Sequence, residues 1–213
     1  MTMRLYDYAA SGNCYKARLL FALLDQPYER VAIDIFAGDT LTDEYAAINP
    51  ARETPVLQLD DGTLLAQSNA ILWYLAEGSA LLPRSKIDRA MVLTWLMFEQ
   101  ECVVPGIAGP RFWLLTGRGD KRTLAVRQHR GRDALRRLDD HLRRRDYLVG
   151  PFSIADVAVF AYTHVAEAAG LPLGEYPAVG RWISRIEALP RFTNDFAPYP
   201  ANARPAVSRS IYD

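Results

Sequence analysis

A proline at the head of an alternating strand, followed closely by a tight turn and a polar helix start, constrains this chain more than any other feature. Residues 49–72 read NPARETPVLQLDDGTLLAQSNAIL. Pro55 has no backbone donor and opens Val56 to Leu59, which alternates apolar and polar side chains as a half-buried strand does. It therefore belongs at a strand start or edge. A cis Thr54-Pro55 bond would turn the chain sharply there and leave the Thr54 amide and carbonyl to a peptide-like ligand. Asp61 and Gly62 supply a tight turn, Thr63 to Ala66 returns antiparallel, and the spacing Ala70, Ile71, Tyr74, Leu75 predicts a helix starting at Gln67 or Ser68. That start has unpaired backbone donors and the positive end of the helix dipole, and a Ser hydroxyl beside a Gln amide suits a carboxylate. The same serine also serves as a plain helix cap.

Upstream, Arg4 to Tyr8 reads as a strand, Ala9 to Asn13 is small and polar, and Cys14 to Leu24 is helical with Ala17, Leu20, Phe21 and Leu24 on one face. Tyr28 to Ile35 is a second strand. Strand, helix, strand, linker helix, proline-started strand, hairpin strand and helix follow one another, which is the thioredoxin-like layout. Helical patterns then run from Asp88 to Val104, Pro110 to Leu115, Lys121 to Arg145, Ser153 to Ala169 and Ala178 to Ala188. The expected organisation is a thioredoxin-like domain at 1–80, a linker at 81–87, an all-helical domain at 88–192 and an extended or loosely packed tail at 193–213.

Charge excludes some function classes. Lys plus Arg equals Asp plus Glu at 25 each, so no whole-molecule field draws nucleic acid or membrane. From Arg118 to Arg145 the arginines are offset by Asp133, Asp139, Asp140 and Asp146, with Leu124, Gly131, Leu135, Leu138 and Leu142 on one face, as in a solvated helix. No signal peptide or apolar span of membrane length is present, which predicts a soluble cytoplasmic protein. Cys14 and Cys102 are far apart, and His129, His141 and His164 form no ligand-spaced motif, so no metal is expected.

The segments RLYDYAASGNCYKARLLFALL, NPARETPVLQLDDGTLLAQSNAILWYLA and GPFSIADVAVFAY, in this order, resemble the cytosolic glutathione transferase superfamily from Met3 to about Phe192. They look most like bacterial members near the theta, zeta and nu classes. The resemblance implies an enzyme with glutathione as co-substrate, a small apolar electrophile as acceptor, and a homodimer. It assigns Gln67 and Ser68 to the gamma-glutamyl carboxylate and amine, and Thr54, beside Pro55, to the cysteinyl backbone. Ser11 falls where theta and zeta enzymes carry the serine that donates to the sulfur, and Asn13 matches the second polar position of the nu-like pattern. Such enzymes lower the thiol pKa of glutathione. A drop of about two units from a free value near 8.5 needs roughly 2.7 kcal/mol, which one or two charge-assisted hydrogen bonds supply.

Several residues carry two readings. Ser11 is also a natural helix cap, and Tyr6 and Tyr8 are rival donors on strand one. Cys14 is either a reactive thiol in a first helical turn or, three and seven residues before Ala17 and Phe21, a packed one. Where the family loop reads like NPxGKVP, Arg52 and Glu53 stand at the Gly and Lys positions, so an acid repels the glycyl carboxylate unless Arg52 or Lys16 compensates. The electrophile pocket is expected from Ile107, Arg111, Phe112 and Trp113, where Pro105, Gly106, Gly109 and Pro110 break the helix; these aromatics also fit a core. Disulfide reduction and a noncatalytic binding role remain the alternatives to conjugation.

Overall fold

In the computed structural model, which describes residues 2–213, a mixed four-stranded sheet carries the order β2-β1-β3-β4. Met1 of the expected first domain lies outside the described residues. Strand β1 (Arg4–Asp7) pairs in parallel with β2 (Glu29–Ala32) and antiparallel with β3 (Val56–Gln58), which pairs antiparallel with β4 (Leu64–Ala66). The parallel pair needs a crossover, and helix α1 (Gly12–Leu24) supplies it. Alternation along the strands sorts the side chains: Tyr6 and Val56 cluster with Tyr45 of α2 (Asp43–Ile48), while their neighbours Leu5 and Leu57 are fully buried. Helix α3 (Ser68–Ala76) starts where the sequence placed it. Strand β2 is shorter than predicted, because Asp34 turns back to accept from the amides of Phe36 and Ala37.

This thioredoxin-like unit runs to Leu75 and takes back Thr193–Asp213. Of the two readings offered for the tail, loose or extended, the backbone is extended, and it is fastened rather than loose. Its Ala197 and Arg209 amides donate to the carbonyls of Ala9 and Phe36, at 3.2 and 2.9 Å. Asp195 accepts from Arg18 at 2.9 Å, and Asn202 donates to Asp34 at 2.8 Å. These fastenings join residues far apart in sequence, so tail composition alone did not reveal them.

The second unit, Ala76–Phe192, is helical. Helix α4 (Lys86–Phe98) passes through a π-helical segment (Glu99–Ala108) into α5 (Gly109–Thr116). The expected break does not occur. The wider π turns accommodate Pro105, which cannot donate, and Pro110 sits at the start of α5, where a missing N–H costs least. Helix α6 (Lys121–Leu142) crosses the π segment closely, glycine on glycine: a Cβ built on Gly106 would lie 2.7 Å from Gly131 Cα. Asp139 of α6 is buried and caps α8 (Pro177–Glu187) by accepting from the amides of Ala178 and Val179 at 2.7 and 3.1 Å. It is therefore not one of the solvated charges that its helix pattern suggested. Helix α7 (Ile154–Thr163) begins with the Ser153–Asp156 capping box expected from the sequence. No helix among the described residues is long and apolar enough to cross a membrane.

Burial pushes His164 down from 6.5 to about 4, helped by the charge of Arg111 and opposed by its hydrogen bond with the Phe160 carbonyl. A base depressed in the folded state contributes stability that is complete above about 6.5 and is lost as the pH falls toward 4. Urea midpoints at pH 6.5 and 4.5 should fall for the wild type and fall less for His164→Asn. Equal losses would remove His164 from the acid response.

Candidate functional site

The loop between β1 and α1 brings the first candidate residues together. Ser11 is extended (φ −88°) and caps α1, its oxygen accepting from the Cys14 amide at 3.3 Å. The cap reading of Ser11 is thus correct, and it does not exclude the donor reading, since an accepting hydroxyl keeps its proton to give. Cys14 is fully buried and receives the Tyr8 amide on its sulfur at 3.3 Å. Burial, and then the charge of Asp7, raise its thiol to about 11 despite hydrogen bonds from Thr54, Tyr8 and Ser11. A thiol so disposed is a protonated, packed side chain at neutral pH rather than a nucleophile. Tyr6 donates to Gln58 at 3.3 Å, and Tyr8 packs its ring against Phe36 and Tyr199.

The proline loop is built around backbone carbonyls. The Thr54-Pro55 bond is cis. Tyr45 and Asn49 both donate to the Glu53 carbonyl, at 2.9 and 2.8 Å, which fixes the loop while the Glu53 side chain stays exposed. Arg52 has φ +57° and turns its guanidinium to the carbonyls of Thr40 and Thr42, each at 2.9 Å. The sequence offered Arg52 as a counterweight to Glu53; its donors instead hold the turn before α2.

At the start of α3, Gln67 is exposed and held at φ +71°, a region that costs a non-glycine residue about 1 kcal/mol or more. Ser68 is buried, with its Oγ 3.5 Å from Asn13 Oδ1. Lys16 lies one turn along α1 from Asn13 and is fully buried, its Nζ donating to Ser68 Oγ at 3.2 Å and to Asn69 Oδ1 at 3.3 Å. Asn13, Lys16, Ser68 and Asn69 thus form one polar seam between two helix starts, with Ser11 capping α1 two residues before Asn13. Sequence reasoning gave Lys16 only a compensating role and missed Asn69. The available signal was a lysine three residues after Asn13, on the same side of the helix.

The tail also reaches this region. Tyr212 is 49% exposed, yet the partial desolvation of its hydroxyl and then the charges of Glu53, Tyr199 and Cys14 push it up to about 12. Nothing in the composition of the tail pointed to that neighbourhood.

The four expected pocket residues all belong to the helical unit. Ile107 is fully buried and offers a ligand no surface, which corrects its assignment to a pocket wall. The π segment carries it into the core. Arg111 is buried, Phe112 lies under the Arg118 guanidinium at 5.3 Å, and Trp113 lies under Arg127 at 4.4 Å. Trp113 also packs on Gly119, where a Cβ would come within 2.1 Å of its ring. Packing therefore accounts for Trp113. Among the described residues no cluster of three or more His, Cys, Asp or Glu could hold a metal ion.

Comparison with known proteins places these features in context. Residues 10–77 match the family described as glutathione S-transferase, N-terminal domain, and residues 92–190 the corresponding C-terminal domain. A crystal structure of a glutathione S-transferase from Pseudomonas fluorescens is 43% identical, covers 92% of this chain and 100% of that one, and superposes with a TM-score of 0.88. The maleylacetoacetate isomerase of Rhizobium meliloti is 42% identical over 91 residues, 41% of this chain and 42% of that protein. A glutathione transferase from Burkholderia graminis, solved with two glutathione molecules bound per subunit, is 25% identical with a TM-score of 0.77 and covers 89% of this chain and 85% of that one. The matches span 40%, 42% and 44% of the length of the first curated relatives.

Proposed function

Because the chain belongs to the glutathione S-transferase family, we propose that it binds glutathione in its thioredoxin-like unit and activates the thiol for attack on a small apolar electrophile. The observation that carries this reading is the seam itself. Two helix starts, one bearing Ser11 and Asn13 and the other Ser68, meet within hydrogen-bonding distance through Ser68 and Asn13. A helix start with a buried serine suits the gamma-glutamyl carboxylate, with Gln67 beside it for the amine. Thr54 at the cis bond pairs with the cysteinyl backbone. The tripeptide sulfur then lies at the start of α1, where Ser11 gives its proton and Asn13 adds an amide. Glutathione bound to the Burkholderia graminis relative supports the choice of ligand.

Loss of one such donor is worth about 1.5 to 3 kcal/mol, so Ser11→Ala should lower kcat/KM for an aryl halide about tenfold to a hundredfold. Titration of the bound thiolate absorbance should show the thiol pKa rising by about one to two units in the same variant. An unchanged titration would remove Ser11 from the role. Isomerisation of maleylacetoacetate is a second reading, favoured by the 42% identity to the Rhizobium meliloti enzyme. Turnover of that compound without activity on aryl halides would select it. We also propose a homodimer, for which sedimentation should give twice 23.9 kDa; a species at 23.9 kDa would exclude it.

A further inference from the structure

The ends of β2, β1 and β4 and the start of β3 share one edge of the sheet, in the spatial order β2-β1-β3-β4. A tripeptide held by Ser68 after β4 and by Thr54 before β3 therefore points its glycine end along that edge toward residues 33–42, the loop after β2. Strands lie about 4.8 Å apart and an extended tripeptide reaches about 10 Å, so it crosses most of the edge. There the glycyl carboxylate meets Glu53, an exposed acid beside Thr54. Arg52 spends its donors on the carbonyls of Thr40 and Thr42, and Lys16 lies at the opposite end, beside Ser68.

Arg209 of the tail stands at this loop. Its amide donates to the Phe36 carbonyl at 2.9 Å, and its backbone bridges Ala37 in parallel. Its side chain folds over Gly38, where a Cβ would lie 3.7 Å from Arg209 Cβ and 3.9 Å from its Cζ. Asp34 and Asp39 lie close by in sequence, but they accept from the amides of Phe36, Ala37 and Asp34. Among the described residues no hydrogen bond or ion pair holds the exposed Arg209 guanidinium. Tyr212 extends the same line, because after desolvation the charge of Glu53 weighs most on its hydroxyl. The end of the tail thus runs from the Phe36 carbonyl toward the proline loop.

We propose that Arg209 binds the glycyl carboxylate of glutathione and offsets the repulsion from Glu53. A guanidinium presents paired donors that match the two oxygens of a carboxylate, and its permanent charge opposes that of the acid across the loop. The bridge to Ala37 fixes the backbone of the arginine beforehand, so little of the chain is left to order when the ligand arrives. Resting on the glutathione reading above, this assigns the glycine end of the ligand to the returning tail. A ligand whose glycyl group is neutral loses the contact.

Calorimetric titration of the wild type, Arg209→Gln, Arg204→Gln and Ser68→Ala tests this, each with glutathione and with its glycyl monoethyl ester. Arg209→Gln should weaken glutathione about threefold to tenfold, as an exposed but well-placed ion pair allows, and the ester less than about twofold. It should raise KM for glutathione more than it lowers kcat. Arg204→Gln removes the same charge from another exposed tail position and should change neither ligand by as much as about twofold. If Arg209→Gln weakens glutathione by less than about threefold while Ser68→Ala weakens it clearly, the role of Arg209 is overturned and the glutathione site stands. Equal weakening of glutathione and the ester also overturns it, because a loosened tail does not distinguish them. An equal effect of Arg204→Gln does so too, since a diffuse field then suffices. If Ser68→Ala leaves glutathione binding unchanged, the site reading itself fails.

Discussion

Replacing Asp156 with alanine is expected to cost about 4 kcal/mol of stability at neutral pH. The carboxylate is fully buried and takes four donors: the Leu148 amide at 2.9 Å, the Ser153 amide at 3.0 Å, the Trp182 indole N–H at 2.9 Å and the Ser153 hydroxyl at 3.3 Å. As a cap alone it would be worth about 1 kcal/mol, the figure the sequence motif supports. The tertiary contacts raise that figure. Alanine leaves three N–H donors facing apolar surroundings, each costing about 1 to 3 kcal/mol, less the relief of no longer burying a carboxylate. That relief is real, since burial pushes Asp156 up from 3.8 to about 6 against the donors that hold it down. Urea unfolding followed by tryptophan fluorescence measures the loss. A cost below 1 kcal/mol would reduce Asp156 to an ordinary cap.

Gly131→Ala should lose about 3 kcal/mol or more, the upper end of overpacking costs. Its Cβ would lie 2.2 Å from the Gly106 carbonyl oxygen and 2.6 Å from a Leu171 methyl. The leucine can turn aside, but the carbonyl belongs to the facing helical backbone. Relief requires α6 to move off the π segment, which opens the packing between them. Gly180 on α8 has nothing within 4 Å of its Cβ position. Gly180→Ala should therefore gain about 0.5 to 1 kcal/mol from helix propensity and serves as the control. Equal melting temperatures for the two variants would show that the helices separate at little cost.

Most of the sheet and helix order is set by local sequence signals. Pro55, the Asp61-Gly62 turn and the polar start at Gln67–Ser68 are local signals, and β3, β4 and α3 follow them within a residue or two. Ser153 and Asp156 are three residues apart, within reach of one another on any helix, so their box was legible as well. The π segment was not. Pro105 and the glycines around it signal a break when judged by propensity, and only the close approach of Gly131 shows why that stretch stays helical.

Periodicity, turn chemistry and caps act over a few residues, and for that reason the chain itself specified most of its secondary structure, its two kinds of domain and its family. Where the charges went was decided by partners many residues away. Lys16 was drawn to Ser68, Arg52 to Thr40 and Thr42, Asp139 to the start of α8, and Arg18 to Asp195 of the returning tail. A buried charge takes whichever donor or acceptor the packed chain brings within about 3 Å, and a local pattern carries no record of that distance.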